Sequence, residues 1–232
     1  MLLCENLCVN YGKKQVLSEV SLNIGNGLTC ILGQNGTGKS TLIKAISGQV
    51  LFKGNVFLNG VDVNGMSIDQ KSKAIVFMTQ SYEVSFNFTV AEILKMGFHG
   101  IGFDEDVYQK AMQVTHILHI ENRTYNTLSG GEKQRVQFAR SFSRLKKANA
   151  QLLILDEPSS SADIKQEMNM INLAKQASKE KPVIMISHNI ALARKYADNI
   201  ILLKDGTLQK HASIITDDDI KTCFELNEEF VL

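Results

Sequence analysis

Leu28-Thr29-Cys30-Ile31-Leu32-Gly33-Gln34-Asn35-Gly36-Thr37-Gly38-Lys39-Ser40-Thr41-Leu42 decides how the rest of the chain is read. Its first third is a short apolar run of the kind that forms a buried strand, and from Thr41 to Ser47 apolar residues recur at helical spacing. Between them lies G-x-x-x-x-G-K-S, in the strand, loop and helix setting that this pattern needs to bind phosphate. The glycines let backbone N–H groups turn inward, and the helix start brings the positive end of its dipole. Lys39 can reach the β- and γ-phosphates, and Ser40 can ligate Mg²⁺. The phosphate-binding set is therefore Gly33, Gln34, Asn35, Gly36, Thr37, Gly38, Lys39, Ser40 and Thr41. Alone, the loop specifies a nucleotide and no particular chemistry, because many enzymes and motors share it.

Outward from the loop, short runs rich in Val, Ile and Leu recur at Ala74–Met78, Leu152–Leu155, Val183–Ile186 and Asn199–Leu203. Helical spacing separates them at Asp106–Leu118, Gly131–Ser143 and Ile164–Ser178, which predicts a parallel α/β core. Leu2–Leu7, Val16–Ile24 and Asn55–Leu58, punctuated by Tyr11-Gly12, Gly25-Asn26-Gly27 and Asn59-Gly60, predict a small N-terminal antiparallel sheet. The expected class is α/β: a parallel sheet core, an N-terminal antiparallel β subdomain and an inserted helical subdomain at about 88–140, all within one unit spanning 1–232.

The charges nearly cancel, 25 basic against 24 acidic, so no global field draws the chain to nucleic acid or anionic lipid. No basic segment followed by a long apolar one opens the sequence, and no apolar run approaches the roughly 18 residues that span a bilayer. A chain neither secreted nor membrane-spanning is expected. Cys4, Cys8, Cys30 and Cys223 lack paired spacing and read as reduced thiols.

Leu152-Leu153-Ile154-Leu155-Asp156-Glu157-Pro158 is an apolar run ending in two acids, at the strand end where ligands sit in open α/β sheets. Asp156 suits Mg²⁺, and Glu157, facing elsewhere, suits a general base toward the attacking water. Standing alone, the same run could simply end in solvated acids. Leu128-Ser129-Gly130-Gly131-Glu132-Lys133-Gln134-Arg135 opens a helix with a serine and two glycines, a second anion-binding start. The loop at Gly33–Ser40 already accounts for one nucleotide's phosphates, so Ser129, Gly130 and Gly131 would face the γ-phosphate of another copy. Ser129 is equally an N-cap, and Ser-x-x-Glu a capping box.

These residues, in this order and over essentially the whole chain, resemble the ATP-binding-cassette (ABC) ATPases. Gly33–Ser40 resembles their Walker A within a P-loop NTPase-like fold, Leu128–Arg135 their signature, and Leu152–Glu157 their Walker B with its catalytic glutamate. The resemblance implies that Tyr11 stacks on adenine and that Gln80 contacts Mg²⁺ and the attacking water. It further implies that Asp163 belongs to a loop crossing a cassette dimer, and that His188 touches the γ-phosphate. The implied catalytic set is Glu157, His188, Gln80 and Lys39, with Ser40, Gln80 and Asp156 toward the metal. Two departures stand out: Ser161-Ala162 precedes Asp163, where the family more often has Ala-Leu, and Asn189 follows His188, where aspartate is more usual.

What the resemblance implies is an ATP-hydrolysing subunit working with ATP and Mg²⁺ as a cassette homodimer on the cytoplasmic face of the inner membrane. It would energise transmembrane permease subunits, be served indirectly by a substrate-binding protein, and have no nucleic-acid partner. Phe86-Asn87-Phe88-Thr89-Val90-Ala91-Glu92-Ile93-Leu94-Lys95-Met96-Gly97 resembles cassettes of bacterial importers for iron-siderophores, haem and vitamin B12. A long link at Ser143–Gln151 leans toward haem or cobalamin. The aromatics of residues 80–90 either dock the permease or pack the helical subdomain. The alternative is a soluble ABC ATPase of a non-transport assembly, such as iron-sulfur cluster assembly.

Overall fold

Leu28, Cys30, Ile31 and Leu32 are completely buried, as a strand apolar on both faces must be. A computed structural model describes residues 1–79, 82, 84–158 and 164–226. In chain order the elements are β1 (Leu2–Tyr11), β2 (Lys14–Ile24), β3 (Gly27–Leu32), α1 (Lys39–Ile46), β4 (Lys53–Leu58), β5 (Val61–Asp62), α2 (Ile68–Ala74), β6 (Ile75–Met78) and α3 (Val90–Lys95). There follow α4 (Glu105–Val114), α5 (Gly130–Lys147), β7 (Leu152–Asp156), α6 (Ile164–Ser178), β8 (Pro182–Ile186), α7 (Ile190–Tyr196), β9 (Asn199–Lys204), β10 (Thr207–Ala212) and α8 (Asp217–Phe224). The chain forms two compact units, Met1–Ser67 with the stretch from Lys175 onward, and Ile68–Ala174.

In the first unit, β2, β1, β4 and β5 make an antiparallel sheet in that order. Leu2, Cys4, Leu7 and Val9 of β1 point inward, and Asn6, at φ 49°, lies where the register slips between Cys4 and Leu7. Such a bulge puts two successive residues, Glu5 and Asn6, on the solvent side and resets the alternation. The parallel core strand β3 pairs with β8 on one side and β9 on the other. Asp198 pins the start of β3: its carboxylate accepts from the Leu28 N–H at 2.7 Å and pairs with Lys175, while its own N–H donates to the Leu28 carbonyl at 2.8 Å. β10 returns antiparallel to β9 through Asp205-Gly206, both left-handed at φ 46° and 74°, as a two-residue hairpin requires. All four cysteines are free thiols, and burial pushes Cys4 and Cys30 up to about 12.

In the second unit, β6 and β7 pair in parallel. Val90, Ile93 and Leu94 of α3, Tyr108, Ala111 and Met112 of α4, and Val136 and Ala139 of α5 share one core with Tyr125. The Tyr125 hydroxyl, buried with its ring, accepts from Gln137 Nε2 at 2.9 Å, which satisfies the phenol. Arg144, late in α5, donates to the carbonyls of Ser72 (2.9 Å), Gly97 (3.1 Å) and His99 (2.9 Å), tying three segments to one guanidinium.

Two helix ends fall about a turn away from the sequence expectation. The helix expected over Asp106–Leu118 stops at Val114: Thr115 turns its hydroxyl onto the Ala111 carbonyl (2.7 Å) and His116 adopts φ 55°, so Leu118–Ile120 forms a separate 3₁₀ turn. The helix expected to end at Ser143 runs on to Lys147, so most of the supposed link Ser143–Gln151 is helix, finished by three basic residues that suit a helix C-terminus. The aromatic stretch divides. Tyr82 and Phe88 pack against the helical core, whereas Phe86 is 71% exposed.

Ile93→Ala removes a fully buried side chain at the centre of that core and should lower stability by about 2–5 kcal/mol, read as a shift in the urea unfolding midpoint.

Candidate functional site

Where β3 ends, the backbone turns through Gly33 at φ 155°, Gly36 at 81° and Gly38 at 98°. A Cβ at Gly33 would lie 2.3 Å from the Leu203 carbonyl oxygen, and one at Gly38 would lie 2.8 Å from Leu17 Cδ2 and 3.0 Å from the Val16 carbonyl oxygen. Only glycine fits either place. Within the loop, Lys39, 6% exposed, donates from Nζ to the carbonyls of Gly33 and Gln34, both at 2.8 Å. Thr37 Oγ1 donates to the Gln34 carbonyl at 2.9 Å, and the Gly206 N–H donates to the Thr37 carbonyl at 3.1 Å. Carbonyl oxygens are neutral acceptors, so these two bonds orient the ammonium without adding a negative charge beside it.

The chemistry of α1 fits a phosphate ligand. Side chains of Thr89, Asp104, Ser129, Asn189 and Thr216 cap α3, α4, α5, α7 and α8, but the N-cap of α1 is Gly38 and brings no side-chain hydrogen bond. The first amides of α1 thus point out from a glycine cradle beside Lys39 and the hydroxyls of Ser40 and Thr41. The Ser40 hydroxyl there is a hard oxygen donor, of the kind that suits Mg²⁺.

His188 stands at the same edge of the first unit's sheet as the loop. β8 runs parallel to β3 with Ile186 opposite Ile31, and the Ser187 N–H donates to the Ile31 carbonyl at 3.3 Å. His188 is exposed one residue beyond. The unusual Asn189 has a physical role: its Oδ1 accepts from the Leu192 N–H at 3.0 Å and caps α7, which asparagine does as well as aspartate. Tyr11, 49% exposed, closes β1 at the turn into β2.

The second unit carries the remaining candidates. Every residue of β7 is buried, down to Asp156 at 6% exposure. Glu157 follows at φ 48°, a left-handed conformation that costs a non-glycine residue about 1–2 kcal/mol and breaks the strand's alternation. Ser129 forms both halves of a capping box. Its Oγ accepts from the Glu132 N–H at 3.3 Å and donates to Glu132 Oε2 at 2.9 Å, while the Ser129 N–H donates to Oε2 at 2.8 Å. Arg123 pairs with Glu132 at 3.0 Å. The Ser129 hydroxyl proton is thereby aimed at a carboxylate, the place any phosphate would have to take. Gln80 and Asp163, with the rest of 159–163, lie outside the described residues.

Sequence reasoning missed the loop's supports. Val16 and Leu203 press on it from behind and the Gly206 N–H donates to the Thr37 carbonyl; of these only Asp205-Gly206 carries a pattern, that of a hairpin turn, by which the sequence could have offered it.

A glycine-built phosphate loop between strand and helix, on a parallel sheet, defines a P-loop nucleotide-binding protein. The family model described as ABC transporter matches residues 17–160, well over half of the chain. The hemin import ATP-binding protein HmuV of Plesiomonas shigelloides is 34% identical over 97% of this chain and 94% of its own length. That of Bartonella henselae is 35% identical over 93% and 86%. Among solved structures, an ATP-binding subunit of an ABC transporter superposes with a TM-score of 0.82 at 22% identity, covering 98% of this chain and 95% of that one. A dimeric bacterial ABC transporter cassette superposes at 0.80 with 25% identity, over 93% and 100%. This chain belongs to the ABC transporter family, as an ATP-binding subunit and an ATPase.

The capping box sets a pH dependence. The Ser129 amide, joined against the effect of burial by the Ser129 hydroxyl and then by the charges of Arg123 and Arg135, holds the Glu132 carboxyl below its ordinary value, and Ser129→Ala takes away the hydroxyl's share. Its contribution to stability is present above the ordinary value of 4.5 and is lost as pH falls through the depressed one. Ser129→Ala should cost about 1 kcal/mol of stability at neutral pH, and that difference should shrink on acidification, as measured by thermal melts across pH.

Proposed function

We propose that this chain is the ATP-hydrolysing subunit of a bacterial haem importer, peripheral on the cytoplasmic face of the inner membrane and coupled to separate permease subunits. Chain-long similarity to hemin import ATP-binding proteins carries the reading. Among the described residues no helix is long and apolar enough to cross a membrane; in this reading the spanning segments belong to the permease.

In this reading the amides of Gly33–Ser40 and the Lys39 ammonium hold the triphosphate, with Thr41 completing the set, and Tyr11 stacks on the adenine. Ser40, Asp156 and Gln80 would hold Mg²⁺, which neutralises charge on the phosphate oxygens as the bond breaks. Glu157 takes a proton from the attacking water, its carboxylate turned out of the strand by the left-handed backbone. His188 steadies the γ-phosphate. Two copies pair head to tail, and Ser129, Gly130 and Gly131 of one face the nucleotide of the other, with Asp163 at the crossing. Binding there requires the Ser129 hydroxyl to leave Glu132 for a phosphate oxygen, so the capping box opens as the dimer closes. Triphosphate favours the closed dimer and the hydrolysed products do not, which makes the cycle a population shift.

The permease's cytoplasmic segment is seated in a groove of the second unit of about 910 Å³, lined by Tyr82, Phe88, Met96, Phe98, Phe103 and Arg140. Arg140 stacks on Tyr82 at 4.1 Å, leaving aromatic edges to meet an apolar helix.

Glu157→Gln should keep ATP binding, cut turnover by about 10²–10⁴-fold and trap a dimer in light scattering; a variant hydrolysing at the unsubstituted rate removes Glu157 as the base. Reconstituted with its permease and binding protein in liposomes, the ATPase should rise with hemin. Stimulation by cobalamin or a ferric siderophore in its place would reassign the cargo.

A further inference from the structure

One side chain of the phosphate loop reaches the end of α8. Gln34 donates from Nε2 to the carbonyl of Phe224, the last residue of that helix, at 2.6 Å. Carbonyls in a final helical turn have no partner within the helix, so this bond satisfies a group that would otherwise need water. Lys204, at the end of β9, treats the neighbouring turn in the same way. Its Nζ donates to the Thr222 carbonyl at 3.2 Å and pairs with Glu225 at 3.0 Å. Glu225 adopts φ 55° and the Leu226 N–H closes onto the Lys221 carbonyl at 3.0 Å, a capped end rather than a frayed one. Ile220 and Cys223 are buried beneath it.

The backbone of the same residue does a second job. The Gln34 carbonyl accepts from Lys39 Nζ at 2.8 Å and from Thr37 Oγ1 at 2.9 Å. Gln34 therefore joins α8, through its side chain, to the ammonium of the loop, through its carbonyl. The motif leaves this position open, since any residue satisfies the x after Gly33. Rotation of its peptide plane would move the acceptor that fixes Lys39.

We propose that Gln34 is a positioning residue through which the end of α8 sets the shape of the phosphate loop, and hence its affinity for ATP, without its side chain touching a phosphate. The proposal rests on Gly33–Ser40 binding the triphosphate. That reading has its own test in Lys39→Ala, which should abolish ATP binding whatever Gln34 does.

Gln34→Met keeps the length of the side chain and removes the donor. The KM for ATP should rise about fivefold, the worth of one neutral hydrogen bond, while kcat changes by less than about twofold. In the unsubstituted protein, a non-hydrolysable imido analogue of ATP with Mg²⁺ should slow hydrogen exchange at the Glu225 and Leu226 amides, and in Gln34→Met that slowing should vanish. Should Gln34→Met not fold, Lys204→Met loosens the same helix end from the other side and should raise KM in the same direction. A KM unmoved in both variants overturns the proposal. So does α8 exchange that ignores nucleotide in the unsubstituted protein, or a lowered melting temperature with KM unchanged, which would make Gln34 a brace and nothing more.

Discussion

A buried ammonium must find acceptors or give up its charge, and Lys39 finds them in the backbone of the loop it serves. That arrangement has consequences in several directions. Because the acceptors are carbonyls of Gly33 and Gln34, the loop must curl with its oxygens toward the lysine. The same curl leads into α1 through Gly38, an N-cap that brings no side-chain hydrogen bond to the first amides. The curl in turn demands left-handed backbone at Gly33, Gly36 and Gly38, two of which press so closely on Leu203, Val16 and Leu17 that a methyl group would not fit. The strand before the loop is held as firmly, by the two-way hydrogen bonding between Leu28 and Asp198.

Helix ends show the complementary principle. Among the described residues, α3, α4, α5, α7 and α8 close their N-termini with their own side chains, and α1 does not. A cap satisfied by the protein is stable and silent, whereas amides left to a ligand make a site. Ser129 falls between the two, since its capping box with Glu132 is complete and yet consists of the very groups that would meet a phosphate. On the proposed function, α5 would exchange acceptors, a phosphate oxygen taking the place of the Glu132 carboxylate at the Ser129 hydroxyl.

Much of this was legible in the chain. The apolar runs that became β3, β6, β7, β8 and β9 stand out because strands buried on both faces contain little else, and the spacing of Gly33, Gly38, Lys39 and Ser40 names a phosphate loop before any coordinates exist. Boundaries were harder, for identifiable reasons. At Thr115 and His116 a hydroxyl bonded back to Ala111 and a left-handed residue ended α4 early, although the apolar period ran on. At Ser143 a polar stretch looked like a link, but Arg144, tied to the carbonyls of Ser72, Gly97 and His99, carried α5 onward to Lys147. Propensity and period do not register a bond to a residue tens of positions away.

The sequence by itself determined the chemistry on offer: which residues can hold phosphate, which acids close a strand, which serine opens a helix. Those depend on residue type and local spacing, which one stretch of chain contains. Only the tertiary structure decided how the loop is braced, because the groups that brace it come from far along the chain: the turn at Asp205-Gly206, the carbonyl of Leu203 and the helix end at Phe224. Backbone carbonyls and amides are the same in every residue, so no sequence pattern marks which of them will meet, and folding alone brings Phe224 to Gln34.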